Sequence, residues 1–158
     1  IYGEVKVQNV EEVLQNWEQL KLKEKGRKHR VLEGVPVSLP ALVKAYRIQD
    51  KARGVGFDWE QKEEVWKKVK EELQEFEAEI QQEDPMKMEE EFGDLLFALV
   101  NAGRLYGINP ENALEKTNQK FRRRFDYIEQ KSKEKGQSLK EMTLDEMESL
   151  WQEAKRKE

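Results

Sequence analysis

The chain has 158 residues, enough for one domain with a buried core, and charged residues make up 39% of it. Its 29 basic and 33 acidic residues give a net charge of −4, too balanced to indicate general binding to nucleic acid or to an anionic membrane. No apolar run approaches the roughly 20 residues that span a bilayer, and the first residues lack a secretory-signal pattern, so we expect a cytoplasmic protein.

Few glycines, four prolines and mixed charged and apolar residues predict an all-α domain. The first helix is predicted to start after Asn9, which forms a capping-box pattern with Glu12, and to end at Gly26. A second helix is predicted from Pro40, placed in its first turn, to about Arg53.

The third and fourth helices are predicted to run from about Glu60 to Gln82 and from Pro85 to about Tyr106, with Asp84 capping the fourth. The connection is so short that the two must form an antiparallel pair, with axes about 8–10 Å apart. The apolar stripe assigned to the third helix is Val65, Val69, Leu73, Phe76 and Ile80.

Two further helices complete the predicted set. Asn109 and Pro110 repeat the cap-plus-proline signal for a fifth helix that ends near Gly136. Thr143 with Glu146 starts the sixth. We find no sequence repeat and no linker between domains.

Four carboxylates are placed so that they can converge. Glu72 and Glu75 lie three residues apart on one side of the third helix, and Glu79 extends the row. Glu91 and Asp94 have the same spacing on the antiparallel fourth helix. Such an arrangement repels itself when empty, which favours a divalent cation.

Asp94 is unusual because it lies in the apolar run Phe92–Val100, which we expect to be buried. A buried carboxylate needs a compensating partner, and a cation is one. Gly93 would let a neighbouring backbone approach closely, and Asn101 continues the same face. The alternatives are that Asp94 pairs with an arginine and that the glutamates only lie on a solvated helix face.

Cysteine is absent and His29 is the one histidine, in a basic loop where an exposed structural role is the favoured interpretation. A metal site would therefore be built from oxygen ligands, which favours magnesium, calcium or manganese over zinc. Mg²⁺ is the first choice, because it combines carboxylates with waters and substrate phosphates.

A second set of residues could bind a nucleotide. Lys120 and Arg124 share a helix face and could hold phosphate oxygens, whereas Trp151 and Lys155 combine a stacking surface with a charge. Lys68 lies one turn before the first acidic pair. The alternatives are that the cations only balance acidic neighbours and that Trp151 belongs to the core. No GxxxxGK[ST] loop is present, which leaves metal-assisted hydrolysis.

Several segments of the chain match a known pattern. They are Gly34-Val35-Pro36, Leu39-Pro40-Ala41-Leu42, Gln49–Ala52, Gly56-Phe57-Asp58-Trp59, Gly93-Asp94-Leu95-Leu96-Phe97-Ala98, and Lys120-Phe121 with Arg123-Arg124-Phe125. With the acidic pairs, they resemble the catalytic portion of the MazG family, nucleoside triphosphate (NTP) pyrophosphohydrolases of the all-α NTP pyrophosphatase superfamily. The acidic pairs alone would indicate only that superfamily, which also includes dUTPase-like and phosphoribosyl-ATP pyrophosphohydrolase members.

The resemblance implies an all-α helical bundle completed by homodimerisation, with residues 31–158 as the catalytic domain and residues 1–30 as linker and first helix. It implies Mg²⁺-dependent hydrolysis of NTPs to nucleoside monophosphate and pyrophosphate, with broad base specificity and Mn²⁺ as a substitute. The implied metal ligands and catalytic residues are Glu72, Glu75, Glu91 and Asp94. The implied substrate-binding residues are Lys68, Lys120, Arg124, Trp151 and Lys155.

Two interpretations from other classes compete with this one. A non-catalytic helical oligomerisation or interaction module would carry the same charges on its surface and show no magnesium dependence. A ferritin-like dimetal oxidase would need Glu-x-x-His ligand pairs, which the sequence lacks.

Overall fold

A computed structural model describes residues 10–24, 30–58 and 61–158, with side chains in the first segment described for residues 12–21. The described residues form six α-helices and no strand, which confirms the all-α prediction. The helices are α1 Val10–Glu24, α2 Ala41–Gly54, α3 Lys62–Gln82, α4 Pro85–Leu105, α5 Pro110–Glu134 and α6 Leu144–Arg156. Asn9, Gly26 and His29, which carried predictions, lie outside the described residues.

The start signals of α4 and α6 are confirmed. The Asp84 side chain accepts hydrogen bonds from the backbone N–H groups of Met86 and Lys87, at 3.1 and 3.3 Å. Thr143 and Glu146 form a reciprocal capping box, with bonds of 3.2 and 2.8 Å. Each cap satisfies backbone donors that the first helical turn leaves without partners.

Local structure differs from the sequence interpretation in two places. Pro40 precedes α2 as its capping residue, in an extended conformation, rather than standing in its first turn. The loops before α2 and α6 each contain a short 3₁₀ helix, Val31–Gly34 and Leu139–Glu141, that was not predicted.

The chain consists of two compact units, Ile1–Pro110 (the N-terminal unit) and Glu111–Glu158 (the C-terminal unit). None of the helices described in either unit is long and apolar enough to cross a membrane. Each unit has its own buried cluster.

The N-terminal unit is organised around the antiparallel pair of α3 and α4. Glu83 takes a left-handed conformation between them, with φ of 56°, and reverses the chain. The Trp66 side chain, early in α3, donates a 3.1 Å hydrogen bond to the hydroxyl of Tyr106 after α4, whereas the rings of Phe76 and Phe92 lie 5.3 Å apart nearer the connection. The buried cluster between the helices is Val65, Val69, Leu95, Ala98 and Ala102.

Helix α2 packs on α4, and α1 packs on α2. The Gln49 side-chain amide of α2 donates a hydrogen bond to the carbonyl of Phe97 in α4 at 2.9 Å. This contact links the buried Gln49 side chain to the backbone of α4.

The C-terminal unit has a separate core in which Ile128, Met142 and Leu150 are buried. The Ser132 hydroxyl donates to the carbonyl of Gln137 and ties the end of α5 to the following loop.

The prediction that Phe92–Val100 is buried throughout is wrong. Helical geometry turns successive side chains by about 100°, so a single stripe of α4 reaches its neighbours in the fold. Leu95, Ala98 and Val100 are buried, whereas four large apolar residues of this run are 43–47% exposed. Those four residues are Phe92, Leu96, Phe97 and Leu99.

Candidate metal centre

Carboxylate oxygens from α3 and α4 converge in the N-terminal unit. Glu72, Glu91 and Asp94 each place one oxygen so that all three lie within 4.8 Å of one another. Glu71, Glu72 and Glu75 form a second group, in which one oxygen from each side chain also lies within 4.8 Å of the others. The four acids singled out in the sequence are thus gathered around Glu72.

The spacing of residues along each helix explains this convergence. Glu72 follows the buried residues Val65 and Val69 at intervals of four and three, so it occupies the next inward position of α3. Leu73, assigned to the inward stripe from the sequence, is 41% exposed instead. Glu91 precedes Leu95 by one turn on the inward stripe of α4, which brings it towards the same place.

Glu72 is the buried acid of the cluster, with 6% of its surface exposed. Its Oε1 accepts a 2.6 Å contact from the Lys68 ammonium, and its Oε2 is buried with no hydrogen-bond partner among the described residues. A buried carboxylate oxygen without a donor is strongly unfavourable. A bound cation would satisfy this oxygen. Carboxylates are hard oxygen ligands, which suit Mg²⁺ or Mn²⁺.

The electrostatics of the cluster agree with that geometry. Partial desolvation, followed by the charge of Glu72, raises the pKa of Glu75. Partial desolvation and the charge of Asp94 raise the pKa of Glu91. Hydrogen bonds to Glu72 and then Glu71 raise the pKa of Lys68 and keep it charged. Two of the acids are therefore destabilised as anions by their neighbours, and a divalent cation would reverse that effect.

Two expectations about the α4 side of the site need correction, and one alternative can be compared with the structure. Asp94 is exposed rather than buried, so its carboxylate reaches the cluster from the solvent side. Asp94 forms no ion pair with an arginine of the described residues, so the alternative that an arginine pairs with Asp94 receives no support there. Among the described residues, no atom outside its own helix lies within 4 Å of the place that a Cβ on Gly93 would occupy, so they show no close backbone approach at this glycine.

A cavity of about 540 Å³ adjoins the carboxylates and shares Lys68, Glu72 and Asp94 with them. Its other polar lining residues are Gln49, Asp58, Asn101 and Arg104. Its apolar lining residues are Leu32, Ile48, Ala52, Phe57, Phe97 and Ala98.

The sequence analysis did not predict the polar side of this cavity. Arg104 is buried in the last turn of α4 and donates to both carboxylate oxygens of Asp58, at 2.7 and 3.4 Å. It also donates to the Asn101 side chain at 2.8 Å. Gln49 and Asp58 do fall within segments that carry the family resemblance, and this could have marked them as candidate site residues, but no role was assigned to them.

The C-terminal unit contains the other four candidate substrate residues. The Arg124 guanidinium donates to Glu158 at 2.7 and 3.2 Å and lies 5.3 Å above the ring of Trp151. Trp151 is half-buried and packs against Phe121, with ring centroids 5.1 Å apart. Lys120 and Lys155 are exposed. Arg124 and Trp151 are thus in contact, and the hydrogen bonds from Arg124, helped by the charge of Lys120, lower the pKa of Glu158.

The chain is similar in sequence to known proteins. A family model described as the MazG nucleotide pyrophosphohydrolase domain matches residues 60–128, which include both acidic pairs and three of the four basic candidates. An Escherichia coli protein named nucleoside triphosphate pyrophosphohydrolase is 43% identical over 162 aligned residues, which cover 100% of this chain and 62% of that protein.

Two further relatives show the same pattern. A Thermotoga maritima protein named nucleoside triphosphate pyrophosphohydrolase/pyrophosphatase MazG is 43% identical over 141 residues, covering 88% of this chain and 54% of that protein. The Bacillus subtilis protein YabN is 49% identical over 161 residues, covering 100% of this chain and 33% of that protein. The chain therefore spans between one third and about three fifths of the length of these relatives.

Proposed function

The chain belongs to the MazG family, and on that premise we propose that it hydrolyses NTPs to nucleoside monophosphate and pyrophosphate with a divalent cation bound between α3 and α4. The observation that carries the proposal is the convergence of Glu72, Glu91 and Asp94, in which the buried Oε2 of Glu72 accepts no hydrogen bond from any described residue. Relatives named as NTP pyrophosphohydrolases support the reaction class.

The four carboxylates Glu72, Glu75, Glu91 and Asp94 are the proposed ligands of Mg²⁺, with Mn²⁺ as a substitute. When bound, the cation would neutralise phosphate oxygens and lower the barrier to attack at phosphorus. One carboxylate of the set would orient or deprotonate the attacking water, because an ionised acid within hydrogen-bond reach can act as a general base. Lys68 would hold Glu72 in position through its 2.6 Å contact.

The basic and aromatic candidates keep the roles that the resemblance gives them. Lys120 and Arg124 would contact phosphate oxygens, and a forked guanidinium is suited to that contact. Trp151 and Lys155 would contact the base, and stacking on an indole ring tolerates any base, which supports broad specificity. Arg124 would have to exchange its contact with Glu158 for one with the substrate.

We also propose that the chain acts as a homodimer or a higher homo-oligomer whose copies together complete the helical bundle. The support is the set of apolar residues of α4 that are 43–47% exposed, together with Phe121 of α5 at 56%. Monomeric proteins rarely leave large contiguous apolar patches in water. Residues 31–158 would form the catalytic domain, following the linker and first helix in 1–30. The substrates would be cytoplasmic nucleotides, with neither nucleic acid nor membrane as a partner.

The test is incubation of the protein with a mixture of NTPs and Mg²⁺, followed by separation of the products. The proposal predicts nucleoside monophosphate and pyrophosphate in equal amounts and loss of turnover when the metal is chelated. Release of nucleoside diphosphate and phosphate would contradict the assigned bond cleavage. No turnover with any NTP would favour the alternative, a non-catalytic oligomerisation or interaction module.

A further inference from the structure

Glu71 lies beside the carboxylate cluster, and the proposed reaction gives it no role. The residue is exposed on α3, and one of its oxygens lies within 4.8 Å of oxygens of Glu72 and Glu75. Its Oε1 accepts a 2.9 Å hydrogen bond from the Lys68 ammonium. An exposed ion pair of this kind contributes little to the stability of a fold. A larger effect of Glu71 would therefore have to come through the other contact that Lys68 makes.

That other contact joins Lys68 to the buried acid of the cluster. The ammonium nitrogen lies 2.6 Å from Oε1 of Glu72 as well as 2.9 Å from Oε1 of Glu71. The two acids follow Lys68 by four and three residues, so both can reach the same ammonium group from one helix face. A lysine side chain is flexible, and that of Lys68 is 39% exposed. The second anchor on Glu71 therefore restricts the ammonium to a position beside Glu72.

The two oxygens of Glu72 have different surroundings. Oε1 is engaged by Lys68, whereas Oε2 is buried and accepts no hydrogen bond from any described residue. A carboxylate that is held through one oxygen is restricted in its rotation, which leaves Oε2 as the oxygen available to a cation. Partners that orient a metal ligand in this way are typically worth roughly 10–100-fold in metal affinity.

We infer that Glu71 is a positioning residue of the metal centre, which holds Lys68 against Glu72 and thereby keeps Oε2 of Glu72 directed to the cation. The inference rests on the proposed function, in which Glu72 is a ligand of Mg²⁺. Glu71 acts through Lys68 rather than as a further ligand, because its Oε1 is already engaged by the ammonium and its side chain is 56% exposed.

The first test measures Mg²⁺ affinity by calorimetry in the absence of nucleotide. Glu71→Gln removes the charge that anchors Lys68, and we expect the Kd for Mg²⁺ to rise by about fivefold or more. The matched control is Glu77→Gln, which removes the same charge from an exposed position of α3 that belongs to neither carboxylate group. The control should change the Kd by less than about twofold, because salt screens exposed charges.

A double-mutant cycle separates positioning from direct ligation. Lys68→Met removes the ammonium through which Glu71 is inferred to act, so in that background Glu71→Gln should change the Kd by less than about twofold. A direct ligand, or a charge acting across space, would weaken Mg²⁺ binding by a similar factor in both backgrounds. Lys68→Gln is a second background for the same cycle. It lacks the positive charge but keeps a hydrogen-bond donor for the buried carboxylate of Glu72.

Thermal unfolding without metal tests for a merely structural role. The Tm of Glu71→Gln should stay close to that of the wild type, because the pair is exposed. The inference is overturned by an unchanged Mg²⁺ affinity in Glu71→Gln, by equal weakening with and without Lys68, or by weakening that accompanies a marked fall in the metal-free Tm.

The same measurements distinguish failure of this inference from failure of the proposed function. A wild-type protein that binds no Mg²⁺ would overturn both. A wild-type protein that binds Mg²⁺ equally well with and without the Glu71 carboxylate would overturn the positioning role alone.

Discussion

The two units of the chain use acidic residues in opposite ways. In the N-terminal unit, desolvation and neighbouring carboxylates raise the pKa of Glu75 and Glu91. In the C-terminal unit, a backbone hydrogen bond from Thr143 lowers the pKa of Glu146, and the Tyr127 hydroxyl followed by Lys157 lowers that of Glu153. Acids of the first kind are destabilised by their surroundings, and those of the second kind stabilise the fold.

The partners of each acid account for the difference. Glu153 accepts from the Tyr127 hydroxyl at 2.5 Å and pairs with Lys157 at 3.1 Å. In the metal cluster, Lys68 is shared between Glu71 and Glu72, and one oxygen of Glu72 has no donor among the described residues. Composition does not reveal this distinction, because both units are rich in glutamate.

Acids held together without sufficient cations reduce stability, and such local conflicts are concentrated at functional sites. Similar acidic residues therefore have different roles in the two units. Changes in the N-terminal cluster should affect metal binding and turnover strongly, whereas changes in the C-terminal networks should affect only stability, and weakly.

The largest expected effect comes from Asp94→Asn. The substitution keeps the shape of the side chain and removes a ligand charge, so we expect NTP turnover to fall by about 100-fold or more, since even outer partners of metal ligands are worth roughly 10–100-fold. Asp94 is exposed, so circular dichroism should show unchanged helical content. Glu89→Gln, at an exposed site on the same helix, is the matched control and should retain activity. Activity of the Asp94 variant within a few-fold of wild type would remove this residue from the site.

Metal binding should also stabilise the folded protein. At 100 times its Kd, Mg²⁺ should add about 2.7 kcal/mol to the free energy of unfolding. For a chain of this size, about 2–4 °C per kcal/mol then gives a rise in Tm of about 5–10 °C. Thermal unfolding with and without Mg²⁺ measures the rise.

Variants in the two units test whether the cation that raises the Tm binds at the carboxylate cluster. Asp94→Asn should lose most of the rise at the same Mg²⁺ concentration, whereas Glu153→Gln should keep it. An equal rise in wild type and Asp94→Asn would show that the cation binds elsewhere.

The sequence predicted the helices well because their signals are local. Asp84, Pro85, Thr143 and Glu146 set helix starts through side-chain and backbone contacts within one turn, and the structure confirms them. The two-residue connection between α3 and α4 fixes their antiparallel arrangement, so the meeting of acids from the two helices was also predictable.

The sequence predictions were wrong where tertiary packing determines which side chains are buried. The sequence interpretation assigned Leu73 to the inward stripe of α3, whereas Glu72 is the residue that continues Val65 and Val69 inward. The apolar stripe was assigned from apolar residues alone, so the inward position of Glu72 after the two buried valines was not included in it. Conversely, the apolar run around Asp94 was taken as evidence of burial on every side.

The cavity was beyond prediction from local pattern. Gln49, Asp58 and Arg104 come from three separate parts of the N-terminal unit, and nothing in the spacing of these residues indicates that they meet. Their grouping depends on how α2 packs on α4, which local periodicity does not specify.

Acidification should weaken metal binding more than it weakens the fold. Because the pKa values of Glu75 and Glu91 are raised, these groups take up protons at higher pH than ordinary glutamates, and protons then compete with Mg²⁺. We expect the calorimetric Mg²⁺ affinity to fall as the pH is lowered from neutral towards the ordinary glutamate pKa of 4.5. A pH-independent affinity over that interval would contradict the cluster as the binding site.

The metal-free protein should show the opposite trend in stability. For these two acids the folded state binds more protons than the unfolded state in the interval above the ordinary glutamate pKa of 4.5. Their contribution to the free energy of unfolding therefore decreases as the pH rises through that interval. Asp94→Asn, which removes one neighbouring charge from Glu91, should flatten this dependence in urea unfolding without metal.

The smallest expected effect lies in the C-terminal unit, at Glu153. Its pKa is lowered in the folded state, so its contribution to stability is present above the ordinary value of 4.5 and is lost as the pH falls towards the lowered value. We expect Glu153→Gln to reduce the free energy of unfolding slightly at pH 7, with a difference from wild type that shrinks below pH 4.5. Because the Tyr127 hydroxyl is the largest cause of the shift, combining Tyr127→Phe with Glu153→Gln should cost less than the sum of the single changes in urea unfolding. Strict additivity, or a fall in Mg²⁺ affinity in the Glu153 variant, would contradict the separation of structural from metal-binding acids.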